Sequence, residues 1–160
     1  MPIAITVHGV LVVLAHLALA VIGIRLIVID ARTHRLPNRI VLPTLGAVVL
    51  LVVLEGVLTG DGERMLRSLL GGLALGGFYA LIRLMSRQGI GGGDVKLAAV
   101  IGVVLGWHGW VTLMLGAMAA FVLGALYALA LMAMRRANRS TRIAFGPWMI
   151  VGAVLAIAIT

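Results

Sequence analysis

The chain has 160 residues, of which 62% are hydrophobic and 11% charged, and its mean hydropathy is +1.19. This composition excludes an ordinary soluble domain, in which about a quarter of the residues are charged, and indicates a membrane protein. The net charge of +8 does not predict a nucleic-acid partner, because Lys and Arg form no basic face with interleaved aromatic residues. The absence of cysteine excludes disulfides, thiolate metal ligands and a Cys nucleophile.

Six apolar runs, separated by short polar or glycine-rich breaks, predict an all-α bundle of about six transmembrane spans. The runs are Ile3–Ile29, Ile40–Leu58, Met65–Met85, Val95–Gly106, Val111–Met134 and Phe145–Ile159. The fourth is short, and the aromatic turn after it predicts a tight hairpin with the fifth. We expect residues 1–160 to form one membrane-embedded domain whose first span is retained, because no basic n-region precedes it.

The basic residues predict how the chain crosses the membrane. Most of them lie in or beside the first, third and fifth breaks: Arg32, His34, Arg35 and Arg39 follow span one, Arg83, Arg87 and Lys96 surround the third break, and Arg135, Arg136, Arg139 and Arg142 fill the fifth. The second break holds Arg64 beside Asp61 and Glu63, and the fourth holds no Lys or Arg. Lys and Arg concentrate in the cytoplasmic loops of membrane proteins. The first, third and fifth breaks are therefore expected on the cytoplasmic side of the plasma membrane, with both termini outside.

Two of the five acidic residues are candidates for chemistry. Asp61 and Glu63 fall in a predicted outer loop, and Glu55 lies near the outer end of span two. Asp30 and Asp94, in contrast, lie at the inner end of span one and the start of span four. The predicted topology therefore places both at the same cytoplasmic boundary of the membrane.

Two carboxylates in a poorly hydrated site repel each other and tend to share one proton. The ionised member of such a pair can take a proton from an attacking water, while the protonated member hydrogen-bonds the scissile carbonyl oxygen. This mechanism requires no metal or cofactor. Taken singly, each aspartate also has a structural interpretation: Asp30 could cap a helix end or pair with Arg32 or Arg35, and Asp94 could cap span four.

Three motifs surround these aspartates. The first comprises Asp30, Thr33, Leu36, Pro37 and Asn38; the second is Gly91-Gly92-Gly93-Asp94-Val95-Lys96-Leu97; the third is Phe145-Gly146-Pro147. The second resembles the Gly-x-Gly-Asp intramembrane aspartyl proteases, in the version found in the type IV prepilin peptidase family. The other two resemble that family's Asp-x-x-Thr-x-x-Ile/Leu-Pro-Asn pattern and its C-terminal Phe-Gly-Pro signature.

The resemblance implies an aspartic endopeptidase that removes the positively charged leader of type IV pilin or pseudopilin precursors at the cytoplasmic membrane face. It implies that Asp30 and Asp94 are catalytic. The residues expected to shape the site are Thr33, Pro37, Asn38, Gly91, Gly93, Lys96, Gly146 and Pro147. Val41 stands where the family often has Thr. Because this cysteine-free chain cannot form the paired Cys-x-x-Cys zinc site of the long members, we expect no N-methyltransferase activity.

Two other classes of function compete with this interpretation. A small ion-coupled transporter could use Asp30 and Asp94 to bind a cation, but its site is expected near the membrane midplane, within an inverted repeat. A non-catalytic assembly protein of a pilus or secretion apparatus would not need the carboxylates. Metal and serine chemistry are disfavoured, because the histidines are scattered over both membrane sides and no serine has a nucleophile-elbow context.

Overall fold

The computed structural model describes residues 2–85, 91–136 and 143–160, with side chains from Val12 onward. Within these residues every regular element is an α-helix, as the apolar runs predict. The helices are α1 (Pro2–Thr33), α2 (Asn38–Thr59), α3 (Gly62–Met85), α4 (Gly92–His108), α5 (Trp110–Ala133) and α6 (Gly146–Ile159). Three basic residues of the predicted cytoplasmic breaks, Arg87, Arg139 and Arg142, lie outside this part of the chain.

Four of these helices, α1 from Val12 onward, α2, α3 and α5, are long and apolar enough to cross a membrane. Helix α4 has 17 residues, or about 25 Å at 1.5 Å per residue, and α6 has 14. Both are shorter than the roughly 30 Å hydrocarbon core of a bilayer. The predicted shortness of the fourth span is confirmed, although α4 continues to His108, so that only Gly109 separates it from α5.

Helices α3 and α4 make the most extensive contact in the bundle, followed by α5 and α6. Glycine permits the close approach of α3 and α4: a Cβ atom added at Gly71 would lie 2.5 Å from the carbonyl oxygen of Gly102. The buried hydroxyl of Ser68 also donates to the carbonyl oxygen of Val103, at 2.6 Å. The two helices therefore form a tightly packed pair.

The ends of the helices define two ends of the bundle. At one, which we call the aspartate end, Asp30 near the end of α1 meets Gly146 at the start of α6. At the other, the opposite end, the ring centroids of His16 and His108 are 6.1 Å apart. The Thr112 and Thr160 hydroxyls are also within hydrogen-bonding distance there, at 3.0 Å. The N-terminal half of α1 and the end of α6 therefore lie at the same end of the bundle.

Candidate active site

Asp30 lies in the last turn of α1 and is 4% exposed. Its Oδ2 atom accepts a hydrogen bond from the main-chain N–H of Gly146, at 3.0 Å. Gly146 is the first residue of α6, and the N–H groups of a first helical turn have no partner within their own helix. The carboxylate therefore lies against the N-terminus of α6, where the helix dipole favours negative charge. The structure thus joins the first and third motifs.

Asp94 lies in the first turn of α4 and is half-buried. Its Oδ2 atom accepts a hydrogen bond from the N–H of Gly91, at 2.9 Å, which is the helix-capping contact considered as its structural interpretation. Asp94 can cap α4 and still belong to the same site as Asp30, because the two carboxylates are within electrostatic range of each other. One oxygen of each aspartate is thus held by a main-chain N–H.

Leu36 is the buried residue that connects the three motifs. A Cβ atom at Gly93 would lie 2.6 Å from the Leu36 Cβ, and one at Gly146 would lie 3.5 Å from its Cδ1. The same added atom at Gly146 would lie 2.7 Å from the Asp30 Oδ2. Glycine at both positions lets the starts of α4 and α6 close around Leu36, which brings the two aspartates to one place.

A hydrogen bond between two motif side chains joins the second motif to the first. The Lys96 ammonium donates to the Asn38 Oδ1, at 2.8 Å. Lys96 lies in the second turn of α4, and Asn38 is the first residue of α2. The contact therefore ties the start of α4 to the start of α2 at the aspartate end.

The remaining motif residues lie at helix ends near the two carboxylates. Pro37, in an extended conformation, is the N-cap of α2, and Pro147 lies in the first turn of α6, where proline costs no hydrogen bond. The Thr33 hydroxyl lies 2.8 Å from the Ile29 carbonyl oxygen and 3.2 Å from that of Arg35. Thr33 therefore supports the end of α1 and does not contact Asp94 or Asp30 through a hydrogen bond of its own hydroxyl.

The sequence matches a known protein family. The model of the type IV leader peptidase family matches residues 10–129. The chain belongs to the type IV leader peptidase family. The matched segment contains Asp30 and Asp94, and the Phe145-Gly146-Pro147 motif lies beyond it. No solved structure matches the chain.

Curated relatives in this family are named prepilin leader peptidase/N-methyltransferase. The Aeromonas salmonicida protein is 30% identical over 145 residues, covering 90% of this chain and 48% of the relative. The Stutzerimonas stutzeri protein is 32% identical over 130 residues, covering 81% and 44%, and the Bacillus subtilis protein is 37% identical over 146 residues, covering 86% and 54%. The chain therefore spans about half the length of these relatives.

Two neighbours of the aspartates in this family member were not indicated by the sequence motifs. A Cβ atom at Gly92 would lie 2.7 Å from the Arg83 Nη1 atom, and Arg83 is within electrostatic range of Asp94. The sequence marked Arg83 only as a determinant of topology. Tyr79, which is 1% exposed, is also within electrostatic range of Asp94. Both residues lie on α3, four residues apart and so on one face of that helix, but nothing in the sequence relates that face to the aspartates.

All three phenylalanines of the chain meet Tyr79 beside the site. Tyr79 stacks on Phe121 with ring centroids 5.6 Å apart, and Phe121 lies 5.3 Å from Phe145; Phe78 lies 6.1 Å from Phe121. Phe145 immediately precedes Gly146 and is the N-cap of α6. This aromatic cluster forms an apolar wall next to the carboxylates. Among the described residues, no group of three or more His, Asp or Glu side chains is arranged to hold a metal ion.

Proposed function

We propose that this protein is a membrane-embedded aspartic endopeptidase that removes the leader of type IV prepilin-like precursors. The observation that carries the proposal is that Asp30 and Asp94 interact electrostatically at one end of a helical membrane bundle, where Gly93 and Gly146 both pack on Leu36. Membership of the type IV leader peptidase family supports it. We further propose that the bundle is a single domain embedded in the plasma membrane. The distribution of Lys and Arg favours an orientation with the aspartate end at the cytoplasmic face.

The catalytic step uses the two carboxylates as a base and an acid. The ionised carboxylate takes a proton from a water molecule, whose oxygen attacks the scissile carbonyl carbon, while the protonated carboxyl donates a hydrogen bond to the carbonyl oxygen. Collapse of the resulting tetrahedral species breaks the C–N bond, and the carboxyl group that took the proton from the water gives it to the leaving amine, so that the pair again holds one proton. The hydrogen bonds from Gly91 and Gly146 to the Oδ2 atoms fix both carboxyl groups, so that one Oδ1 can meet the water and the other the scissile carbonyl oxygen.

The other motif residues have proposed supporting roles. Lys96 and Asn38 hold α4 against α2 through their hydrogen bond, and Thr33 and Pro37 shape the connection between α1 and α2. The starts of α4 and α6 are shaped by Gly91, Gly93, Gly146 and Pro147. We confine the proposal to the peptidase reaction, because these 160 residues contain no cysteine and so none of the thiolates of a paired Cys-x-x-Cys zinc site.

The proposal predicts that each aspartate is required for leader removal. Co-expression of a type IV prepilin with the native chain should give cleaved product, whereas Asp30→Asn and Asp94→Asn should reduce cleavage to background because the amide can neither accept nor supply the proton. Asp61→Asn is the matched control, since Asp61 caps α3 at the opposite end and asparagine is an equally good cap. Immunoblotting measures both the cleaved prepilin and the membrane level of each variant.

The same experiment separates the competing functions. If either aspartate variant is present at the native level and still cleaves normally, the aspartic mechanism is wrong. If the native chain gives no cleavage above background, a scaffold or transporter replaces the peptidase. A transporter is disfavoured by the placement of both carboxylates at one end of the bundle, because such sites lie near the midplane. A scaffold would support pilus assembly equally well with either asparagine.

A further inference from the structure

A cleft opens at the opposite end of the bundle, away from the aspartates, between α1, α2 and α4. Its volume is about 390 Å³, within the roughly 300–1,000 Å³ typical of ligand sites. Helix α1 forms one wall and packs mainly on α6, and only 6% of its apolar stretch is buried inside the protein. The cleft is therefore a gap between α1 and the rest of the bundle, and it is distinct from the catalytic site.

The inner part of the cleft is apolar. Val48, Leu51 and Val52 of α2 face it, together with Leu19 of α1 and Val104 of α4. These side chains come from three helices of a membrane bundle. They offer an acyl chain a surface of the same polarity as the surrounding hydrocarbon. A polar or ionic ligand would find no hydrogen-bond partner among them and would lose its hydration.

The mouth of the cleft carries ionisable groups. His16 of α1 and His108 of α4 meet edge to face across it. Arg64 of α3 lies over the Trp107 ring, 5.3 Å from its centroid. The Arg64 Nε contacts Asp61, at 3.2 Å, so the terminal NH2 groups are the ones that can meet a ligand.

Both signs of charge are present at this mouth. Glu55 lines the cleft together with Arg64, His16 and His108. Arginine is the side chain best suited to bind a phosphate, and a carboxylate accepts hydrogen bonds from a primary ammonium group. A ligand that carries a phosphate and an ammonium group at one end, and a hydrocarbon chain at the other, complements the whole cleft.

We propose that this cleft binds a zwitterionic phospholipid of the phosphatidylethanolamine class. Its phosphate lies at Arg64 and the two histidines, its ammonium group at Glu55, and one acyl chain along the apolar wall. The indole of Trp107 lies at the level of the head group, where aromatic residues of membrane proteins concentrate. The lipid thus fills the gap between α1 and α2 and supports the helix that carries Asp30 at its other end.

Native mass spectrometry of the detergent-purified full chain tests this proposal. Phosphatidylethanolamine should form adducts with roughly tenfold higher affinity than phosphatidylglycerol, which lacks the ammonium group, or inorganic phosphate, which lacks the acyl chain. Equal affinity for the two lipids, or displacement of the lipid by phosphate alone, would overturn the proposal.

A matched pair of variants on α2 locates the site. Leu51 lines the cleft and Leu50 does not, yet both are exposed apolar residues. Leu51→Trp should reduce phosphatidylethanolamine binding roughly tenfold, and Leu50→Trp should leave it unchanged; equal effects would contradict the assigned cleft. If Leu51→Trp does not fold, the exposed Arg64→Gln carries the test, and its unchanged lipid binding would overturn the proposal.

Discussion

The carboxylate of Asp30 makes glycine at position 146 a steric requirement. A Cβ atom there would lie 2.7 Å from Oδ2 and 3.3 Å from Cγ of Asp30. Neither contact can be relieved by a flexible chain end, because the carboxylate is buried and Gly146 opens α6. The hydrogen bond between the Gly146 N–H and Asp30 therefore depends on the absence of a side chain.

Gly146→Ala should impair leader cleavage by moving the Asp30 carboxylate out of its position. We expect a loss of roughly a hundredfold, the scale of a displacement of about 1 Å at a catalytic group, with little change in the amount of protein in the membrane. The measurement is the initial rate of prepilin cleavage by purified protein in detergent.

Gly77→Ala is the control for this substitution. An added Cβ at Gly77 meets nothing within 4 Å, and alanine in a helix interior stabilises by roughly 0.5–1 kcal/mol relative to glycine. Its cleavage rate should equal that of the native chain. A normal rate for Gly146→Ala as well would show that the close contact with Asp30 has no catalytic importance.

The sequence predicted the residues of the candidate site unevenly, for a physical reason. Asp30, Asp94 and Gly146 stand in short motifs, so their neighbours along the chain indicated them. Tyr79 and Arg83 reach the site from α3, and only the packing of α3 on α4 places them there. A local pattern contains no information about a contact of that kind.

At the scale of helices, the α3–α4 pair depends on small residues at their crossing. A Cβ at Gly102 would overlap the main-chain atoms of Gly71 and lie 2.9 Å from the Gly72 Cα. Backbone cannot move aside as a side-chain end can. The crossing therefore tolerates no larger residue without separation of the helices.

Gly102→Ala should destabilise the bundle by about 2 kcal/mol, as overpacking does, and lower its Tm by roughly 4–8 °C. Thermal unfolding of the detergent-solubilised protein measures this. Gly46→Ala, where an added Cβ meets nothing within 4 Å, should unfold at the same or a slightly higher temperature. Equal Tm values for the two variants would mean that α3 and α4 can move apart without cost.

Helix bounds were easier to predict than helix partners. The apolar runs match the six helices to within a few residues, because the cost of placing polar groups in hydrocarbon sets where each run ends. Gly72 and Gly76, like Gly102 and Gly106, stand four residues apart, a spacing of small residues that permits close contact between membrane helices. This spacing does not indicate that α3 and α4 are the helices that meet, with Gly72 and Gly102 in direct contact, because hydropathy does not show which helices pack together.

For the whole molecule, the orientation in the membrane is a prediction with a direct test. The chain has no cysteine, so each introduced cysteine reports one position. A membrane-impermeant maleimide should label Glu63→Cys, at the opposite end, in intact cells. It should label Arg39→Cys, at the aspartate end, only after the membrane is permeabilised.

The reversed labelling pattern would place the aspartates on the outer face and exclude cleavage of leaders from the cytoplasm. Both test positions are exposed and belong to none of the three motifs around the aspartates, so the substitutions should leave the fold intact. Retained prepilin cleavage by each variant provides the check.

The length of α1 has a consequence for how the protein meets its membrane. Its 32 residues extend about 48 Å, well beyond a hydrocarbon core of roughly 30 Å, so this helix must tilt or project from the bilayer. Asp30 belongs to α1, whereas Asp94 belongs to the tightly packed α3–α4 pair. A change in bilayer thickness therefore changes the tilt of α1 and, with it, the distance between the two carboxylates.

Cleavage rates compared in bilayers of increasing acyl-chain length should pass through a maximum at one thickness. Equal rates at every thickness would show that α6 alone fixes Asp30.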